Sequence, residues 1–135
     1  MLAKQAADLH SSTINQMVMH GIAVAVYESQ VTAARALYRG RRDALLASLE
    51  REMPDGVSWT KPEGGLFVWV TLPERFDGAD LLARSIAEER VAFVPGAAFF
   101  ATDARLNTLR LNFSSPNEEK IAEGIKRLGR LIRRM

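Results

Sequence analysis

Residues 108–113 read Thr108-Leu109-Arg110-Leu111-Asn112-Phe113, and the rest of the chain organises around them. Side chains alternate across a strand, so Leu109, Leu111 and Phe113 share one face and belong to a core. Thr108, Arg110 and Asn112 share the other. An Arg in mid-strand, flanked by apolar neighbours, needs a partner for its charge. Its planar fork suits a carboxylate, bidentate and charge-assisted. From spacing alone two readings stand. Arg110 is either a receptor for the carboxylate of a small ligand, or a partly exposed or internally paired side chain.

Downstream, Ser115-Pro116-Asn117-Glu118 has the pattern of a capping box with Pro at the first helical position. The helix it predicts carries Ile121, Ile125, Leu128 and Ile132 on one stripe. Just upstream, Val91-Ala-Phe-Val94 reads as a short strand ending at Pro95-Gly96, followed by a loop with Phe99 and Phe100. Leu66-Phe-Val-Trp-Val-Thr-Leu72 is aromatic and β-branched and apolar at nearly every position. It is expected to be a central strand covered on both faces. Val57-Ser-Trp-Thr60 alternates, and Lys61-Pro-Glu-Gly-Gly65 joins the two strands as a hairpin-like connection. Asp77 is placed to cap a helix reaching about Arg90, with Leu82 and Ile86 one turn apart.

Residues 29–52 read as a long helix with Val31, Ala34, Tyr38, Leu45 and Leu49 on one stripe. Gly40 is a candidate close-packing point within it. Met53-Pro-Asp-Gly56 ends it. The order helix, strand, strand, helix, strand, strand, helix predicts an α+β fold. It is a two-layer α/β arrangement of three or four mostly antiparallel strands, with helices packed on one side and a long helix leading in. Before that helix, residues 14–27 are apolar almost all round: Ile14, Met17, Val18, Met19, Ile22, Ala23, Val24, Ala25, Val26 and Tyr27. Such a helix must be buried on every face. A chain of 135 residues is hard pressed to surround it, so a partner subunit or a further domain is expected to cover it.

Composition sets the outer bounds. At 47% hydrophobic and 25% charged, with 9 Gly and 5 Pro, the chain is neither collagenous nor disordered. No Cys means no disulfide frame, no zinc-thiolate site and no cysteine nucleophile. The net charge of +2 is local: residues 117–135 hold six basic and three acidic side chains, the remainder twelve and thirteen. A basic last helix suits an anionic surface or a nucleic acid. The favoured reading is a solvated face with cations near the helix C-terminus, since no aromatic residue interleaves the charges. No secretory h-region opens the sequence, and the nearly apolar run 17–27 is too short to span a bilayer. A cytoplasmic location follows as the expectation, with neither a nucleic acid nor a membrane as partner.

Other chemistries find little support. There is no G-x-x-x-x-G-K-[ST] and no G-x-G-x-x-G. His10 and His20 are off helical spacing for a shared metal, so no metal site is expected. Ser11-Ser-Thr13 reads as a helix start, not a nucleophile. None of Lys4, Lys61, Lys120 and Lys126 sits in an apolar run that would depress its pKa for Schiff-base chemistry.

Five segments in order, over essentially the whole chain, resemble the C-terminal part of fold-type I pyridoxal-phosphate enzymes, specifically class I/II aminotransferases. Residues 3–16 are similar to the helix and loop after the cofactor lysine, and Tyr38-Arg-Gly-Arg-Arg-Asp-Ala-Leu-Leu46 to the long interdomain helix. Pro62-Glu-Gly-Gly-Leu-Phe-Val-Trp69 resembles the P-x-G-G-x-F-x-W strand. Phe93-Val-Pro-Gly-Ala-Ala-Phe99 resembles the V-x-P-G-x-x-F turn, and Leu109-Arg-Leu-Asn-Phe-Ser114 the R-L-x-F strand. The subgroup is similar to aminoadipate-type and multi-substrate aminotransferases, and to effector domains of GntR-type regulators.

The resemblance implies that residues 1–28 are a remnant of the large cofactor-binding domain and 29–135 a C-terminal small domain. It implies transfer of an amino group between an amino acid and a 2-oxo acid in a homodimer that uses pyridoxal phosphate. Arg110 matches the arginine that holds the substrate α-carboxylate, and Asn112 lies beside it. Gly64, Gly65 and Phe67 would line the cleft. In the family the Schiff-base lysine, the aspartate at the pyridine nitrogen, the stacking aromatic and the phosphate-binding residues precede the matched region. Lys4 is too near the following helix to replace the lysine. The chain by itself therefore has no catalytic and no cofactor-binding residue, and is expected to be inactive and to bind no cofactor. Two alternatives share the features: a ligand-sensing domain of a GntR-type regulator, and a free-standing α+β binding or oligomerisation module.

Overall fold

The computed structural model describes residues 6–7 and 10–135. The expectations that fall on Lys4 and on the first residues of the segment 3–16 lie outside them. Helix α1 runs Thr13–Glu52. After it come β1 (Ser58–Trp59), β2 (Phe67–Thr71), α2 (Gly78–Arg84), β3 (Val94–Pro95), β4 (Thr108–Asn112) and α3 (Glu118–Arg134). A π-helical turn, Ser85–Glu89, extends α2, and a 3-10 turn, Gly96–Phe99, follows β3. The described residues fall into two compact units, one ending at Ala36 and the other Leu37–Met135.

In the first unit the apolar residues of α1 face solvent in this chain. Met17 is 69% exposed and Val24 76%, and Ile14, Val18, Met19, Ile22 and Tyr27 are also exposed. Where the sequence suggests one helix near 14–27 and another from 29, a single helix crosses both. Nothing between Tyr27 and Val31 breaks helical geometry, since no Pro or Gly stands there. No described helix is long and apolar enough to cross a membrane.

The second unit is the α+β layer. Its sheet has the order β1-β2-β4-β3, antiparallel throughout. Val68 and Val70 of β2 and Leu109 and Leu111 of β4 point to one face. There they join Leu45 and Leu49 of α1, Leu81 of α2, and Ile121, Ile125, Leu128, Leu131 and Ile132 of α3 in one core. The helical stripe expected for the last helix is buried as read. So are Leu109, Leu111 and Phe113.

Three local expectations change. β2 is central, but only one of its faces is covered: Val68 and Val70 are buried, whereas Phe67 is exposed and Trp69 half-buried. The aromatic side chains that make the run look apolar on both faces lie on the open face. The cap of α3 is Asn117, whose Oδ1 accepts from the Lys120 backbone N–H at 3.0 Å, and not Ser115. In α2 the buried stripe is Leu81 and Ser85, while Ile86 is exposed. Asp77 does cap that helix, accepting from Ala79 N–H at 2.7 Å. The π-helical turn carries the helical segment to Glu89, close to the expected end, and Arg90 takes a left-handed conformation (φ 56°) to close it.

Contacts from α1 and between turns then place the loops. Arg42 donates to the Pro62 carbonyl at 3.3 Å and pairs with Asp43. Arg41 donates to the Ser114 carbonyl. These tie the loop before β2 and the end of β4 to the same turn of helix. Gly40 packs against the Glu118 carboxylate at the start of α3, as its mid-helix position suggests. A second close approach has no signal in the sequence. A Cβ on Gly129 would run into the Glu52 carbonyl, so this glycine lets α3 lie against the end of α1.

Candidate functional site: a guanidinium between two rings

The open face of the sheet carries Phe67, Trp69 and Thr71 of β2 beside Thr108, Arg110 and Asn112 of β4. The register pairs Trp69 with Arg110 and Phe67 with Asn112. Phe67 is therefore the diagonal neighbour of Arg110, within reach of a long side chain. On the far side Val94 pairs with Arg110. The 3-10 turn after β3 carries Phe99 back over the same face.

The Arg110 guanidinium lies 4.0 Å from the Phe67 ring centroid and 4.4 Å from that of Phe99. Its Nε is buried without a hydrogen-bond partner among the described residues. No described carboxylate pairs with it. Trp69 meets Phe99 edge-on at 5.8 Å and Phe100 at 5.9 Å, which braces the turn. Gly96 starts that turn because only a residue without Cβ fits: an added Cβ would sit 2.8 Å from Trp69 Cζ2 and overlap the Thr108 side chain. Thr108 is itself buried, with its hydroxyl donating to the Arg105 carbonyl at 2.8 Å.

Of the site residues read from the sequence, Arg110 and Phe67 come together. Asn112 lies beside them, but its Oδ1 is engaged, accepting from the Ser114 N–H at 2.6 Å and the Ser114 hydroxyl at 2.7 Å. Gly64 and Gly65 form the exposed bend before β2, and Gly65 has φ 77°. A Cβ on either would meet nothing within 4 Å. Phe99, Trp69 and Gly96 complete the arrangement: Trp69 ends the Pro62–Trp69 motif, and Gly96 and Phe99 belong to the Phe93–Phe99 turn, whose loop around Phe99 the resemblance places on the cleft. A groove of about 490 Å³ opens between β4, the segment Arg90–Val94 and α3, lined by Phe67, Arg110, Phe93, Lys120 and Ile121 among others. A cation with a free hydrogen-bonding edge, stacked on two rings, is suited to a small planar anion.

The cations elsewhere in this unit are differently placed. Glu89, 5% exposed, accepts from Arg130 Nε at 3.2 Å and from Arg134 Nη2, and its backbone carbonyl accepts from Arg127 at 3.4 Å. The hydrogen bond from Arg130, helped by the charges of Arg130, Arg134 and Arg127, holds the Glu89 carboxyl below the usual carboxylate range. Much of the +3 of the last helix is thus satisfied internally, which favours the structural reading of that charge.

The α+β layer with its small antiparallel sheet is that of an aminotransferase small domain. The chain belongs to the family of class I and II aminotransferases, whose profile matches residues 1–128. It is 48% identical over 98% of its length to aromatic-amino-acid aminotransferase 1 of Thermococcus litoralis. It superposes on the multiple substrate aminotransferase of Thermococcus profundus with a TM-score of 0.89, at 44% identity. That superposition covers 98% of this chain and 33% of the other. The α-aminoadipate aminotransferase of Thermus thermophilus, solved with N-(5'-phosphopyridoxyl)-L-leucine, superposes with a TM-score of 0.85 at 43% identity, over 98% of this chain and 34% of that one. The chain spans about a third of the length of the curated relatives it matches. These matches give no support to the regulator or free-standing-module alternatives.

Proposed function

We propose that this chain serves as the small domain of an aminotransferase that moves an amino group between an amino acid and a 2-oxo acid, and that Arg110 holds the substrate α-carboxylate. The observation that carries the reading is the Arg110 guanidinium: it lies over the Phe67 and Phe99 rings and is free of any described carboxylate. A charged group held this way is costly unless a ligand completes it. The reading further assigns residues 1–28 to the edge of the large domain, with 29–135 forming the small one, and a homodimer as the working assembly. The exposed apolar residues of α1 between Ile14 and Tyr27 fit a helix that the large domain covers.

The described residues do not fit pyridoxal phosphate on their own. Around Arg110 stand Phe67, Trp69, Phe99 and Phe100, with no carboxylate to pair a pyridine nitrogen and no lysine in an apolar run. The carbanion chemistry belongs to the cofactor and to residues outside this chain. The small domain's contribution is orientation. A bidentate contact fixes the carboxylate and with it the rotation about the bond to the α-carbon.

The test is a graft. Residues 1–135 replace the matching third of the Thermococcus litoralis enzyme, and transamination of several amino acids is measured. The expected outcome is activity that Arg110→Ala removes. A graft that folds and binds cofactor but transaminates equally well with Arg110→Ala overturns the assignment.

A further inference from the structure

We propose that Phe67 and Phe99 are positioning residues: they clamp the Arg110 guanidinium by its two faces, so that a carboxylate can reach it only along its in-plane edge. The proposal rests on the carboxylate-receptor reading above and adds what makes the receptor directional. Protein arginines are usually aimed by hydrogen bonds to carboxylates or carbonyls. Arg110 has neither among the described residues, and its Nε is buried without a partner. What remains to aim it is ring stacking, at 4.0 Å from Phe67 and 4.4 Å from Phe99.

The clamp is built from two separate parts of the chain. Phe67 comes from β2, two residues along from Trp69, the cross-strand partner of Arg110. Phe99 comes from the 3-10 turn, which Gly96 seats against Thr108 and Trp69. Trp69 then braces Phe99 edge-on. Both clamping rings are partly open, Phe67 at 38% exposed and Phe99 at 49%, so they are not simply core residues. A ring on each face of the cation, as proposed, leaves for a ligand the donors in its plane. That is the geometry of bidentate carboxylate binding. The clamp also removes rotamer freedom from a long side chain before the ligand arrives, which lowers the entropy that binding must overcome.

The experiment reads the Arg110 Nε–H signal in nitrogen-15 spectra of the 135-residue chain, identified by its loss in Arg110→Lys, alongside titration with pyruvate. In the wild type the signal is expected upfield of solvent-exposed arginines, because it lies between two rings. Phe67→Leu and Phe99→Leu should each move it toward the ordinary position and weaken pyruvate binding by about three- to tenfold. Phe99→Tyr, which keeps the ring, should restore both. Backbone amide spectra check that each variant is folded; should Phe67→Leu lose its fold, Phe99→Leu with its tyrosine rescue decides the question alone. If Arg110→Lys loses pyruvate binding while folded leucine variants keep wild-type affinity, the clamp is refuted and the receptor reading stands. If Arg110→Lys binds pyruvate as the wild type does, the receptor reading itself fails.

Discussion

Two sets of arginines in the second unit behave in opposite ways. Arg130 and Arg134 converge on Glu89, which is almost wholly buried, and Arg127 donates to the same residue's carbonyl. Together they fasten the π-helical turn after α2 to the outer end of α3. Arg110 meets no described carboxylate and is held by two phenyl rings. The first set satisfies its charge within the fold. The second leaves a charge to be satisfied from outside. The difference separates an arginine that holds the domain together from one placed to bind, and it can be broken by experiment from either side.

The largest effect is expected at Arg110. In the grafted enzyme, Arg110→Ala should lower amino-acid turnover by at least about two orders of magnitude, since a desolvated charge-assisted pair is worth roughly 2–5 kcal/mol. Its effect on stability should be small. The lost stacking, about 0.5–1 kcal/mol per ring, is offset by removing a buried donor that has no partner among the described residues. A Tm within a few degrees of wild type, together with lost activity, is the signature of a binding arginine. A large fall in Tm would place Arg110 with the structural set instead.

Glu89→Gln should behave in the reverse way. It leaves Arg130 and Arg134 facing a neutral amide in a covered site, so thermal and urea stability should fall clearly while pyruvate binding is unchanged. The same pair predicts an acid limb. The folded-state pKa of Glu89 lies below its unfolded value, so its contribution is fully present above the unfolded value and is lost as pH falls through the folded one. Glu88 and Glu123, held low by hydrogen bonds from Arg84 and Arg127, act in the same direction. Urea midpoints followed from neutral pH down past the usual carboxylate range should therefore decline in the wild type and decline less steeply in Glu89→Gln. Parallel curves would mean that the cluster does not carry the acid sensitivity.

The two sets are unequally legible in the sequence. Arg110 stands in a strict alternation with Leu109 and Leu111, and period two alone puts it opposite the core. Its clamp is partly hidden. Phe67 and Trp69 lie in a run so apolar that it reads as covered on both faces, because composition cannot tell a core aromatic from one that lines a site. Phe99 is 32 residues from Phe67 and 11 from Arg110, and only the sheet register and the 3-10 turn bring them together. The Glu89 cluster is not legible at all. Glu89 is 41 residues from Arg130 and sits in a π-helical turn that no local pattern announces. Gly129 belongs with it: a mid-helix glycine reads as a weakness until the Glu52 carbonyl is found against it. The long helices and their stripes are legible because they rest on spacing within one segment.

A close packing point tests the structural side at moderate strength. Gly129→Ala adds a methyl group where the Glu52 carbonyl already touches, and where Arg133 donates to that same carbonyl at 2.5 Å. Better helix propensity contributes about 1 kcal/mol in favour. Overpacking against backbone costs about 1–3 kcal/mol, since neither helix can yield without disturbing the core. The net expectation is destabilisation of about 1 kcal/mol with binding intact. A stabilised variant would show that the two helices separate easily.

The smallest effect is expected at Asn112, which makes it the sharpest control. It shares a face with Arg110, and its spacing makes it a candidate ligand contact, yet its Oδ1 is taken up by the N–H and hydroxyl of Ser114. Asn112→Ala should cost about 1 kcal/mol of stability through those lost hydrogen bonds. It should change pyruvate affinity by less than about threefold, well under a tenfold step of about 1.4 kcal/mol. Position on the open face would then be separated from function on that face. What distinguishes Arg110 from its more exposed neighbour two residues away is the absence of an internal partner among the described residues. A larger loss of affinity in Asn112→Ala would mean that the Asn112 amide donates to the ligand as well, and the receptor would then have two residues instead of one.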